Sequence, residues 1–355
     1  MIQFSIFLTL LALIVVGLTF RGQQPDTSRF GINNTNAIKG VLAIAVILGH
    51  VSSRVMVPLG YEWARMFGIL GIFSVTIFFF ISGYGLMQSY QKKGATYFQG
   101  FLRKRVTGTF IPLALASIFL PLLHYALISI NPKLSTINLI SGGVNPITIE
   151  REWATTFDAI LHGDTILPYS WFVFVIILFY IQFWAIGRKA KNAGQIVVRM
   201  LAVNIVNYIF IRFALHWGTW WYNAIFAFNV GTIVATYERP VMKFYQQHTK
   251  LLLLAIPCAL FAIYAAPHFV GDEATCVLYG IVFPLVIYLL VTMLGVFCSR
   301  HLQALGHYSF EIYLTQSVFL LLVYVAPNLW SFLLMFIICS ALMSLVLGVF
   351  YKLTY

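Results

Sequence analysis

Between residues 168 and 187 the chain reads PYSWFVFVIILFYIQFWAIG, without one charged side chain. A helix of that length spans roughly 30 Å at about 1.5 Å per residue, the thickness of a bilayer's hydrocarbon core. Apolar runs of this kind recur at about 1–20, 37–57, 68–90, 108–130, 168–187, 197–214, 218–236, 251–268, 274–298, 308–326 and 329–350. Hydrocarbon offers no water to an unsatisfied backbone, so such runs must be helices or strands of a closed barrel. Barrel strands alternate apolar and polar over about ten residues, whereas these runs are continuous. The expected fold class is all-α, a polytopic transmembrane helical bundle of about 11 spans. With 61% hydrophobic and 9% charged residues in a chain of 355, little is left for a separate soluble domain.

Charge orders the spans. In a soluble chain a net charge of +12 would point to nucleic acid; here its distribution follows the positive-inside rule. With the N-terminus outside and the sides alternating, seventeen of the 22 basic residues fall in inside segments. Among them are Lys39, Lys92, Lys93, Arg103, Lys104, Arg105, Arg188, Lys189 and Arg300. Arg54, Arg65, Lys133, Arg151 and Arg212 are the exceptions. This orientation puts the C-terminus in the cytoplasm. Most acids fall outside, and Glu311 falls within a span. The longest loop, about 131–167, is expected outside, as a lid, part of an acceptor site or a solvated connector.

Residues 1–20 lack a basic n-region and a small-residue cleavage site, so they are expected as a retained helix rather than a signal peptide. Cys258, Cys276, Cys298 and Cys339 form no CxxC, and no HExxH or carboxylate cluster suggests a metal. The halves show no internal repeat of the kind found in many transporters.

The second run, NAIKGVLAIAVILGH, carries Lys39 near one end and His50 at the other. Eleven helical positions amount to three turns plus about 20°, so both lie on one face, with an axial rise of roughly 16 Å. Lys39 sits at the inside edge, where it can extend to the surface. His50 lies deeper. An ionisable group at that depth is a functional candidate by default.

The K-x10-H pattern resembles the R/K-x10-H signature of the integral-membrane acyltransferase-3 family. Further likenesses follow in the family's order: FFFISGYGL (78–86), FLRKRVTGTFIP (101–112), SWFVFVIILFYIQFW (170–184) and LGHYSFEIYLTQ (305–316). Three positions depart from the pattern. Lys39 stands where Arg is commoner, Gly108 stands at a usual second Arg, and Gln316 stands where the late motif ends in His. On this resemblance ten spans are the family's and the first is extra. Residues 1–30 then form the extra transmembrane helix with a cytoplasmic linker, and 31–355 the acyltransferase-like membrane domain.

The resemblance implies an enzyme that moves an acyl group, acetyl first, from cytoplasmic acyl-CoA to a hydroxyl of a cell-envelope or lipid-linked saccharide. It also implies a bacterial inner membrane. A sugar hydroxyl needs a base, and neutral imidazole suits that role, so His50 is the candidate general base, with an acyl carrier as the other option. Lys39, Arg103, Lys104 and Arg105 are the candidates for the phosphates of acyl-CoA, with acetyl-CoA the leading donor. Glu311 shares a helical face with His307 and Thr315. It is a second catalytic candidate, either paired with His307 or another basic group, or orienting His50. Ser82, Trp171, Ser309, Tyr313 and Gln316 are candidate substrate contacts. Ser82 also suits close helix packing, and Trp171 also suits an interfacial anchor. No metal is expected. His124, His162, His216 and His268 are further outer-side histidines. The competing function is a transporter or flippase of a lipid-linked saccharide, and a third is a structural partner in an envelope-polysaccharide complex. The transporter reading explains the spans and the buried polar groups but not the aligned Lys39 and His50.

Overall fold

The computed structural model describes residues 18–20, 30–132, 158, 160–265, 267–297 and 300–354. In chain order the elements are β1 (Leu18–Phe20), α1 (Ile32–Val51), α2 (Leu70–Lys93), α3 (Gly108–Ile128), α4 (Trp171–Gly187), α5 (Ala193–Ile209) and α6 (Ile225–Thr236). There follow α7 (Glu238–Gln247), α8 (Thr249–Ala265), α9 (Pro267–Leu294), β2 (Gly295–Phe297), α10 (Arg300–His307), α11 (Ser309–Phe319) and α12 (Leu329–Thr354). Among the described residues the fold is helical apart from one short antiparallel ladder that pairs Leu18 with Phe297 and Phe20 with Gly295. The rest of the expected first span, and most of the 131–167 loop, lie outside the described residues.

Among the described residues five helices are long and apolar enough to cross a membrane: Ile32–Met56, Glu62–Phe98, Arg103–Ile128, Ala193–Ala214 and Leu329–Val349. Trp171–Gly187, Val277–Thr292 and Ser309–Tyr324 are shorter apolar helices. The expected span at 218–236 is instead a 3-10 turn, Thr219–Trp221, followed by α6, which has 12 residues. That helix is only about 18 Å long. Nine of its residues are buried, so protein rather than lipid surrounds it, which is where a short helix at membrane depth is tolerated.

Two helix crossings frame the site. The more extensive one joins α2 to α6, and a second joins α1 to α10. Both depend on glycine. A Cβ on Gly83 would run into the carbonyl of Phe228, and one on Gly231 into the carbonyl of Phe80. At the second crossing a Cβ on Gly306 would meet the carbonyl of Asn36, and one on Gly40 that of Leu302. Between apolar helices in lipid, association relies on such close backbone contact. Around the first crossing, Phe79, Phe80, Phe179, Phe183 and Phe228 are fully buried. Their rings meet at tilted or edge-on angles: Phe79 and Phe179 are 5.1 Å apart, and Phe179 and Phe228 are 4.6 Å apart.

Candidate functional site

His50 lies in the last turn of α1. Just beyond it the backbone widens into a π-turn, Ser52–Met56, closed by the bond from Val57 N–H to the Ser52 carbonyl at 3.0 Å. Such turns interrupt the regular ladder and re-aim side chains, often at functional positions. The His50 Nδ1 atom is buried and has no hydrogen-bond partner among the described residues.

Tyr169 covers the imidazole. Its ring stacks on that of His50 with centroids 3.8 Å apart and planes 16° from parallel. Tyr169 precedes α4 with φ of 65°, a left-handed conformation that a bulky side chain rarely adopts. Three contacts hold it there. Arg54, presented by the π-turn, donates from Nε to the Tyr169 hydroxyl. The same guanidinium lies 5.6 Å from the ring centroid. From α11, the Tyr313 hydroxyl donates to the Tyr169 carbonyl. A residue kept in a costly conformation by surrounding bonds is a mark of a functional site.

Gln316 also sits beside His50, close enough for their side chains to interact. Both amide heteroatoms of Gln316 are buried without a well-formed hydrogen bond among the described residues. Tyr313 and Gln316 are three positions apart on α11, so one face carries both. Arg54 is the charged group near enough to act on His50.

On the other side of Tyr313 opens a cavity of about 680 Å³. It is within the size range of small-ligand sites. Lys39, Lys92 and Arg105 line it, together with Thr35, Ser82, Gln88, Tyr180, Glu238 and Ser309. Phe172 and Tyr313, whose rings are 5.1 Å apart, form its wall toward His50. Lys39 Nζ donates to Asn36 Oδ1 at 3.3 Å, and Arg105 is close enough for the two cations to repel. Unless an anion offsets it, such repulsion is a cost.

The structure therefore gathers Lys39, Arg105, Ser82, Ser309 and Tyr313 around one cavity, with His50 and Gln316 just beyond its wall. It separates the rest of the basic cluster. Arg103 lines a different cavity of about 540 Å³ with Arg188 and Trp184, and Lys104 lines neither. Trp171 is absent from the lining of both, while its neighbour Phe172 belongs to the larger. Glu311 does not pair with His307 among the described residues. The helix breaks between them, since α10 ends at His307 and Tyr308 takes φ −100° and ψ 13° before α11 begins. Spacing over four residues aligns side chains only within one helix. Glu311 Oε2 is buried without a partner among the described residues.

Of the other histidines, His124 is buried within α3, His162 pairs with Asp158 at 3.5 Å, and His216 has a left-handed φ of 53°. The side chain of His268 lies outside the described residues. Among the described residues no group of three or more His, Cys, Asp or Glu side chains is placed to hold a metal.

Sequence reasoning passed over Tyr169, Phe172, Gln88 and Glu238. Arg54 carried a signal, as a basic residue on the wrong side of the charge pattern. Glu238 carried a weaker one, as an acid followed by Arg239, Lys243 and Lys250.

No curated protein and no solved structure matches the chain. A family model described as an acyltransferase domain matches residues 32–352. That match spans both halves of the site, from Lys39 and His50 to Tyr313 and Gln316, and the chain belongs to the acyltransferase-3 family of membrane acyltransferases.

Proposed function

We propose that the protein transfers an acyl group, acetyl first, from acyl-CoA to a hydroxyl of a cell-envelope or lipid-linked saccharide. The observation that carries this reading is the placement of Lys39, Lys92 and Arg105 in one cavity whose far wall, Tyr313, is bonded to the residue stacked on His50. Cations suit the phosphates of the donor. The Tyr313 side of the cavity is the side from which a thioester would reach the histidine. Family membership favours this reading over a saccharide transporter.

In the proposed reaction the acceptor hydroxyl gives its proton to His50, whose Nδ1 has no partner among the described residues. The hydroxyl oxygen forms a bond to the thioester carbonyl carbon. The tetrahedral intermediate collapses, the carbon–sulfur bond breaks, and the thiolate of coenzyme A takes up the proton. Glu311, whose Oε2 is buried without a partner among the described residues, is proposed as a second catalytic carboxylate, so Glu311→Gln is expected to slow transfer without changing donor binding.

The topology belongs to the same proposal: 11 crossings, the short α6 counted as one enclosed by protein, N-terminus outside, C-terminus cytoplasmic, with residues 1–30 an added helix and linker before the 31–355 domain. Lys39 then faces the cytoplasm of a bacterial inner membrane. The test uses purified full-length protein with labelled acetyl-CoA and saccharide acceptors. Wild type is expected to label the glycan, and His50→Ala to lose about 10²–10⁴-fold in rate. Transfer at the wild-type rate by His50→Ala sinks the base assignment. Movement of lipid-linked saccharide without acylation favours the transporter.

A further inference from the structure

Glu238 opens α7 and lines the same cavity as Lys39, Lys92 and Arg105. A carboxylate among cations normally pairs with them. Here three neutral donors hold it. The Tyr84 and Tyr288 hydroxyls both donate to Oε1, Tyr288 at 3.2 Å. Gln88 donates from Nε2 to Oε2 at 2.9 Å. Tyr84 and Gln88 come from α2 and Tyr288 from α9, so two helices fix the group. Phe30 supports the phenols, its ring 5.0 Å from those of Tyr84 and Tyr288.

Each carboxylate oxygen offers about two acceptor positions. Both positions on Oε1 are used by the phenols, and Oε2 keeps one beyond its bond to Gln88. The cavity is thus amphoteric. A bare phosphoanion meets the cations and is repelled by Glu238. A ligand that carries phosphates and an N–H or O–H donor beside them satisfies both.

We infer that Glu238 is a specificity-determining residue of the donor cavity. It accepts a hydrogen bond from an amine or hydroxyl of a nucleotide whose phosphates lie on Lys39, Lys92 and Arg105. The inference rests on the acyl-CoA reading of that cavity, and it excludes simple phosphate esters and pyrophosphate as good ligands.

Equilibrium binding to the purified full-length protein tests it, with coenzyme A and inorganic pyrophosphate as probes. Wild type is expected to bind coenzyme A well and pyrophosphate poorly. Glu238→Gln should weaken coenzyme A by about tenfold or more, the scale of a hydrogen bond to a charged group, while pyrophosphate binds equally or more tightly. Glu238→Asp keeps the charge but withdraws the acceptor by one methylene, so it should weaken coenzyme A and leave pyrophosphate unchanged. This second variant serves if Glu238→Gln does not fold. Parallel changes for both probes, with acetyl transfer intact in wild type, overturn the role of Glu238 alone. Failure of wild type to bind coenzyme A, or indifference of both probes to Lys39→Ala, overturns the donor-cavity reading and this inference with it.

Discussion

Tyr169 lies flat against His50, and its own backbone is held left-handed to put it there. The stack, the Arg54 bond and the Tyr313 bond come from different elements, so the position of His50 is set by the π-turn after α1, the segment before α4 and α11 together. Each link can be broken separately.

Replacing Tyr169 with Gly relieves the backbone and removes the stack. Stability should hold or rise slightly, while kcat falls about 10²-fold, since small displacements near reacting atoms cost that much. Thermal unfolding alongside steady-state kinetics reads both effects. A loss of stability matching the loss of rate would make the stack a packing contact only.

Arg54→Lys keeps the charge but loses the planar donor that reaches the Tyr169 hydroxyl. The expected outcome is a lowered kcat with an unchanged donor KM. A change in KM alone would move Arg54 from the His50 side to substrate binding.

The basic cluster should divide by cavity. Lys39→Ala and Arg105→Ala raise the donor KM by about tenfold each, the scale of one charge-assisted bond. Arg103→Ala and Lys104→Ala leave it within about twofold, because neither side chain lines that cavity. Donor titrations of the four variants decide between this division and a single shared phosphate patch.

Gln316→His introduces a ring beside His50, where two amide atoms without a partner among the described residues now sit. The variant should fold, retain transfer, and differ in its pH–rate profile through the added imidazole. A profile identical to wild type would show that position 316 does not communicate with His50.

Gly83→Ala should cost about 1–3 kcal/mol by forcing α2 and α6 apart. Gly85→Ala on the same helix should cost little, since open space lies where its Cβ would be. Unfolding in detergent compares the two.

What could be read from sequence is what depends on one helix. The Lys39–His50 alignment needs only the α-helical period, and the face shared by Ser309, Tyr313 and Gln316 follows from the same geometry within α11. The His307–Glu311 pairing failed because a helix break at Tyr308 has no strong marker; neither Gly nor Pro stands there. Tyr169 was out of reach for another reason, and so was the role of Glu238 beyond its place among basic residues. Each meets its partners across more than a hundred residues or between separate helices, and a left-handed φ at tyrosine has no compositional sign. The short α6 shows the same limit, because apolar content alone does not separate a buried helix from a spanning one.

The run from Lys39 to His50 has a consequence for insertions and deletions. One residue added to α1 between them would lengthen the path by only about 1.5 Å, yet turn His50 through about 100°. The imidazole would leave Tyr169 and point toward another neighbour, with almost no change in reach. What this helix conserves between its two ends is phase more than length, and tolerance to indels there should come in steps of a turn.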